Sequence, residues 1–175
     1  MQKRRFCLTL QQLNVLNRTL VIGRRWNVQW QNITLYLPEH VTRIAKEHGR
    51  LHILSAVDYF IIAKNEFPWH HLPDVVIARR GYDNYLVMLA VRENVSVVDI
   101  TQTLTAVHQT DTEAKDRRRH SKLHEINMRT LGRFNSRNGL TSSSQYLTNL
   151  RRDTVRNATS IVIVRRGSRV ANALT

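Results

Sequence analysis

The residues best placed to do chemistry in this chain are Asp83 and His108, 25 positions apart, with Asp58, Trp69, Arg79, Arg80 and Asn84 between or beside them. Asp83 follows Gly81 at the start of a helical pattern, where the helix dipole stabilises a carboxylate and free backbone N–H groups need a cap. His108 closes the extended run Thr105-Ala106-Val107-His108. A lone histidine is more often packed or hydrogen-bonded than metal-bound, and without acidic partners it does not hold a hard cation. Arg79 and Arg80 precede the same helix, and a guanidinium fork suits bidentate contact with phosphate or a sugar hydroxyl; simple solvation is the alternative. Trp69, with His70 and His71, lies on a loop bounded by Pro68 and Pro73. There its face either stacks on a ligand ring or anchors a strand edge. Asp58 sits inside an apolar run, where an unpartnered carboxylate is costly, so it is either hydrogen-bonded or facing a cleft.

Several classes of function find no support. With 27 Lys and Arg against 13 Asp and Glu, the formal charge is +14 and the isoelectric point about 11.1. Such a field attracts phosphate on nucleic acid, nucleotides or anionic lipid alike. The basic pairs are spread from Lys3-Arg4-Arg5 to Arg165-Arg166, which is not the pattern of a single basic tail. The densest run, Arg117-Arg118-Arg119-His120-Ser121-Lys122, has no interleaved aromatics to stack on bases. No zinc-finger, helix-turn-helix or RNA-recognition pattern accompanies it, and no Walker A or Gly-x-Gly-x-x-Gly loop occurs. Cys7 is the only cysteine, so neither an intrachain disulfide nor a cysteine-based zinc site can form. No apolar run is long enough to span a bilayer, and the compartment stays open.

The elements that must position these residues follow from hydrophobic periodicity. The 42% apolar content is ordinary for one globular unit. Thr19 to Gly23 predicts a short buried strand running into Arg24-Arg25-Trp26-Asn27-Val28, and residues 56–63 predict a second strand. Between them Val41, Ile44, Ala45 and His48 recur at helical spacing after Pro38, with Gly49 at the C-terminal cap. Tyr82, Tyr85, Leu86, Leu89 and Ala90 form the stripe of a core-facing helix ending near Asn94. Residues 95–99 predict a buried strand, 104–108 an extended segment, and 109–124 a loop or solvated helix. A last β-rich run covers Ser160 to Val164. Strands alternating with helices place the chain in the α/β class, with a partly open mixed sheet and flanking helices.

Three stretches together resemble a family of glycosyltransferase-like proteins with the GT-A, nucleotide-diphospho-sugar transferase fold. They are Thr19-Leu20-Val21-Ile22-Gly23-Arg24-Arg25-Trp26-Asn27-Val28, then Ser55-Ala56-Val57-Asp58-Tyr59-Phe60, then Ile77-Ala78-Arg79-Arg80-Gly81-Tyr82-Asp83-Asn84-Tyr85-Leu86. Val98-Asp99-Ile100-Thr101 and Thr105-Ala106-Val107-His108-Gln109 follow in the family's order. The resemblance implies an incomplete GT-A-like (Rossmann-like) domain. It makes Asp83 the general base that takes the proton of an acceptor hydroxyl, and His108 the histidine that some such enzymes use as a metal ligand. Arg79, Arg80, Asn84, Trp69 and Asp58 become substrate-binding candidates. The implied partners are a nucleotide sugar and a glycan or other hydroxyl acceptor.

The resemblance also implies an Asp-x-Asp motif holding manganese or magnesium against the diphosphate, and no Asp-x-Asp occurs in this sequence. Asp111-Thr112-Glu113 has the spacing but follows His108. The expectation is therefore that residues 1–110 correspond to the C-terminal half of a glycosyltransferase-like domain and 111–175 to a polar, basic extension with a short β-rich end. A divalent metal would bind only with a missing donor half, and the chain alone would be inactive. The alternative expectation is a small basic protein that binds nucleic acid or another polyanion non-specifically.

Overall fold

Thr19–Gly23 forms β1, and all five of its residues are buried, which a strand achieves only with neighbours on both edges and cover on both faces. The computed structural model of the chain describes residues 18–29, 38–54, 56–77, 79, 81–110, 122–131, 146–153 and 158–166. Beyond β1 these include β2 (Arg25–Gln29), helix α1 (Pro38–His48), β3 (Arg50–Leu51), β4 (Tyr59–Ile62) and a single 3-10 turn at Trp69–His71. Helix α2 (Tyr82–Arg92), β5 (Ser96–Asp99), β6 (Ala106–Thr110), helix α3 (Lys122–Thr130), β7 (Tyr146–Asp153) and β8 (Ala158–Arg165) follow.

The fold is mixed α/β and holds two small mixed sheets where the sequence suggested one. The larger has the order β4-β1-β5-β7-β8, with β1 parallel to β5 and antiparallel to β4. The smaller has the order β3-β2-β6, with β2 parallel to β6 and antiparallel to β3. The turn that the family resemblance implies after Gly23 is in fact β2. At Arg24 the chain leaves one sheet and enters the other, and the segment 100–105 makes the same passage from β5 to β6.

Alternation along the strands sorts the larger sheet's side chains onto two faces. Leu20, Ile22, Phe60, Ile62 and Val97 meet Leu86, Val87, Leu89 and Ala90 of α2 in the main core. Val21, Tyr59, Ile61 and Val98 face the other way, against Ile100, Leu104 and Ile163. Helix α2 packs on β5 as its apolar stripe requires. It ends in a Schellman arrangement: Val95 N donates to Ala90 O at 2.8 Å and Asn94 N to Val91 O at 3.3 Å, with Asn94 at φ 56°. Helix α1 covers β2, burying Ala45 and Val28.

Three expectations change position. The second strand is β4, shorter than 56–63, so Asp58 precedes it instead of lying within it. His108 is the middle residue of β6, not its end, and Gln109 and Thr110 complete that strand. The terminal β-rich run extends to Ala158–Arg165 and pairs with β7 along eight residues. Because β7 pairs with β5 (Val98↔Tyr146, Asp99↔Leu147), hydrogen bonds cross the boundary anticipated at residue 110.

Candidate functional site

Polar side chains gather where the two sheets meet, at the C-terminal ends of β1 and β5, the edge at which open α/β sheets usually bind ligands. Gly23 ends β1 there because Tyr59 lies directly opposite it, and a Cβ on Gly23 would fall inside the Tyr59 phenol. That phenol donates to Leu104 O at 3.4 Å. Burial first, then the Asp99 and Asp58 carboxylates, push its ionisation far upward.

Asp58 is fixed by its backbone N–H, which donates to Gly23 O at 3.0 Å. Its Oδ1 forms an ion pair with Arg25 Nη1, and both side chains are largely withdrawn from solvent, at 27% exposure for Arg25 and 14% for Asp58. Asp58 Oδ2 is buried and has no hydrogen-bond partner among the described residues. Arg25 Nε donates to Asn27 Oδ1 at 2.9 Å, and Asn27 Nδ2 lies 3.2 Å from His52 Nδ1. Strand alternation puts Arg25 and Asn27 on the same side of β2. His52, just past β3, is held through its backbone: its N–H donates to Arg25 O at 2.9 Å and its carbonyl accepts from Arg24 Nη1 at 3.1 Å.

Asp83 lies in the first turn of α2 and reaches this cluster from the other side. The backbone N–H groups of Asn84, Val57 and its own residue lie near enough to favour its charged form, at the start of the helix and beside the segment carrying Asp58. Burial raises its pKa above the ordinary 3.8, Asp58 adds to the rise, and those N–H groups hold it back. Gly81 enters the helix at φ 90°, a left-handed conformation that other L-residues rarely adopt. Leu131, just past α3, packs beside Gly81, and the fully buried Asn127 of α3 holds Val76 at both ends. Its Oδ1 accepts from Val76 N at 2.7 Å and its Nδ2 donates to Val76 O at 2.9 Å. Helix α3 thus braces the loop that delivers Asp83.

A second polar knot lies one strand away. Asp99, at the end of β5, accepts from Thr101 N at 2.9 Å and Thr101 Oγ1 at 2.5 Å, while Arg24 N donates to Thr101 Oγ1 at 3.0 Å. Arg166 Nη2 stands 3.8 Å from Asp99 Oδ2. Burial raises the Asp99 pKa, opposed by the Thr101 hydroxyl and N–H and then by Arg24 and Arg166.

Of the residues singled out in the sequence, Asp58 and Asp83 are neighbours, and His108 joins them through its effect on His52 and its register opposite Asn27. Asn84 is buried in the first turn of α2, and its Oδ1 has no hydrogen-bond partner among the described residues. Arg79 is half-buried in the approach to α2, where its carbonyl accepts from Tyr82 N at 3.2 Å. Arg80 and residues 111–121, including Arg117-Arg118-Arg119-His120-Ser121, lie outside the described residues. Trp69 belongs to a different place. It is 46% exposed and packs tilted against Phe67, with ring centroids 4.5 Å apart. Its turn is tied by His71 to Glu93 at 3.1 Å, past the C-terminal end of α2, roughly 15 Å along the helix from Asp83. Arg24, Arg25, Asn27 and His52 were missed. The one sequence signal for them was the polar i, i+2 spacing of Arg25 and Asn27.

Among the described residues no three His, Cys, Asp or Glu side chains come together as a metal site, and His52 Nδ1 is occupied by Asn27. No protein-family profile, curated protein or solved structure matches the chain.

Proposed function

We propose that this α/β unit is the acceptor-side part of a GT-A-like glycosyltransferase, binding a hydroxyl-bearing substrate at the junction of the two sheets. Asp83 is its general base. The carrying observation is the setting of that carboxylate: half-buried, raised in pKa, and close to the Val57 N–H beside the Asp58–Arg25 pair. A carboxylate offers about four acceptor positions, so Asp83 can accept from a substrate hydroxyl alongside its neighbouring backbone N–H groups. In the transfer, that hydroxyl oxygen bonds to the anomeric carbon of a nucleotide sugar as the nucleoside diphosphate departs, and the hydroxyl proton passes to Asp83. A raised pKa makes Asp83 a stronger base than an exposed aspartate.

The leaving diphosphate needs neutralising charge. This sequence has no Asp-x-Asp motif to hold a metal for that purpose, so the polypeptide alone carries out no sugar transfer. Titration with several nucleotide diphospho-sugars, with and without manganese, is expected to show weak binding that falls with salt and ignores the sugar. Methyl glucoside, as a bare hydroxyl acceptor, is expected to shift the Val57 and Asn84 amide signals in the wild type and not in Asp83→Asn. Tight, manganese-dependent and sugar-selective binding, or glycoside shifts indifferent to Asp83→Asn, would overturn the assignment.

A further inference from the structure

The chain Asp58, Arg25, Asn27, His52 determines where the proton on its last member resides. A guanidinium only donates, so the Asn27 atom 2.9 Å from Arg25 Nε is the carbonyl oxygen. The other end of that amide is therefore NH2, and it faces His52 Nδ1 at 3.2 Å. Since Asn27 donates here, His52 Nδ1 must accept with its lone pair, which leaves the ring neutral with its proton on Nε2. The ionic surroundings act in the same direction. Burial and then Arg25 disfavour a second proton on His52, His108 and Arg24 add to this, and only Asp58 opposes it. His52 is half-buried, and its Nε2 meets no hydrogen-bond partner among the described residues.

The geometry points to His52 as a substrate-binding donor of this site: its Nε2–H is offered to an oxygen of the hydroxyl-bearing substrate, and Arg25 and Asn27 are the positioning residues that hold that tautomer. The substrate half of this assignment rests on the acceptor-site reading above; the tautomer half does not. The two halves of the site then divide the work on a hydroxyl-rich ligand. Asp83 accepts from the hydroxyl that reacts, and His52 donates to an oxygen that does not. Because its one available lone pair is taken by Asn27, His52 is not a metal ligand alongside its neighbour His108.

Long-range proton–nitrogen spectra of the 15N-labelled full chain test the tautomer directly. At neutral pH the expected pattern for His52 is protonated Nε2 with bare Nδ1; an imidazolium or an Nδ1–H ring would overturn the proposal. Asn27→Asp replaces the donor by an acceptor, so the ring should move its proton to Nδ1 or take up a second one, with a pKa raised by about one unit or more. An unchanged tautomer in that variant would sink the relay, and if the variant does not fold the wild-type spectrum still decides. For the ligand half, methyl glucoside is titrated into the wild type and His52→Phe. The expected result is a shifted His52 Nε2 signal and an affinity about threefold to tenfold lower in the variant, the worth of one neutral hydrogen bond. Shifts at Val57 and Asn84 with His52 unmoved would overturn this assignment and leave Asp83 standing. No shift at any of the three would overturn both.

Discussion

In the five-stranded sheet, β1 is buried at every position, whereas β2, the next strand of the same chain, fully buries only Val28. The two are separated by a single residue, Arg24. β1 is held by area removed from water on both faces, a non-directional force that tolerates many apolar sequences. β2 offers its other neighbours a guanidinium and an amide, and what fixes their positions is directional: an ion pair, then two hydrogen bonds in series. The difference teaches where stability and chemistry reside. One sheet supplies the free energy that keeps the chain folded, and the other spends part of it to orient polar groups at the shared edge.

If that division is right, substitutions in the two sheets should separate in what they change. The largest loss of stability is expected from Leu89→Ala, at a fully buried position of α2 against the larger sheet. It should cost about 2–5 kcal/mol in denaturant unfolding while leaving the His52 tautomer as it was. A changed imidazole spectrum in the folded variant would show that the sheets are not separable.

Arg25→Met should reverse the pattern. It leaves the Asp58 carboxylate and the Asn27 carbonyl without their donor, and partial exposure of the pair moderates the loss to about 1–3 kcal/mol. With the Asn27 amide free to turn over, the His52 signals should broaden or change tautomer. A loss larger than that of Leu89→Ala would mean that the ion pair, not the apolar core, dominates stability here.

A smaller effect is expected at the entrance to α2. Gly81→Ala asks an L-residue to hold φ 90° and sets its Cβ 3.0 Å from Leu131 Cδ1, which should cost about 1–2 kcal/mol. Because the same turn delivers Asp83, the Val57 and Asn84 amide signals should move, with the core of the larger sheet unaffected.

The smallest effect is a pH dependence whose sign distinguishes the regions. The folded-state pKa of His52 is depressed below the ordinary 6.5, so its contribution is present above that value and is lost as pH falls through the folded pKa. Asp83 and Asp99 are raised above 3.8, so their contribution is full below that value and is lost as pH rises through the raised ones. The denaturation midpoint should therefore dip on mild acidification from neutral, flatten in His52→Gln, and be offset by the carboxylates at lower pH. A midpoint that rises steadily from neutrality downward would place the carboxylate titrations above that of His52.

The sequence by itself determined the apolar part of this protein. The run at 19–23, the stripe at Tyr82, Tyr85, Leu86, Leu89 and Ala90, the α1 pattern closing on Gly49 and the 95–99 strand are local periodicities, and burial follows from them wherever the rest of the chain goes. It also marked Asp58 and Asp83 as costly or unusual where they stand. What only the tertiary structure decided is which polar groups meet. β2 does not read as a strand because its alternation is Arg, Trp, Asn, Val, and nothing local announces that β6, 77 or more residues later, will pair with it. Strand pairing across that distance brings His108 opposite Asn27, and the short β3 carries His52 to the same amide. The exposed Trp69, equally conspicuous in the sequence, ends up at the far end of α2. Hydrophobic burial is encoded residue by residue, whereas a hydrogen-bonded cluster requires several chain segments to arrive within about 3 Å of one another, and spacing along one segment carries no information about the others.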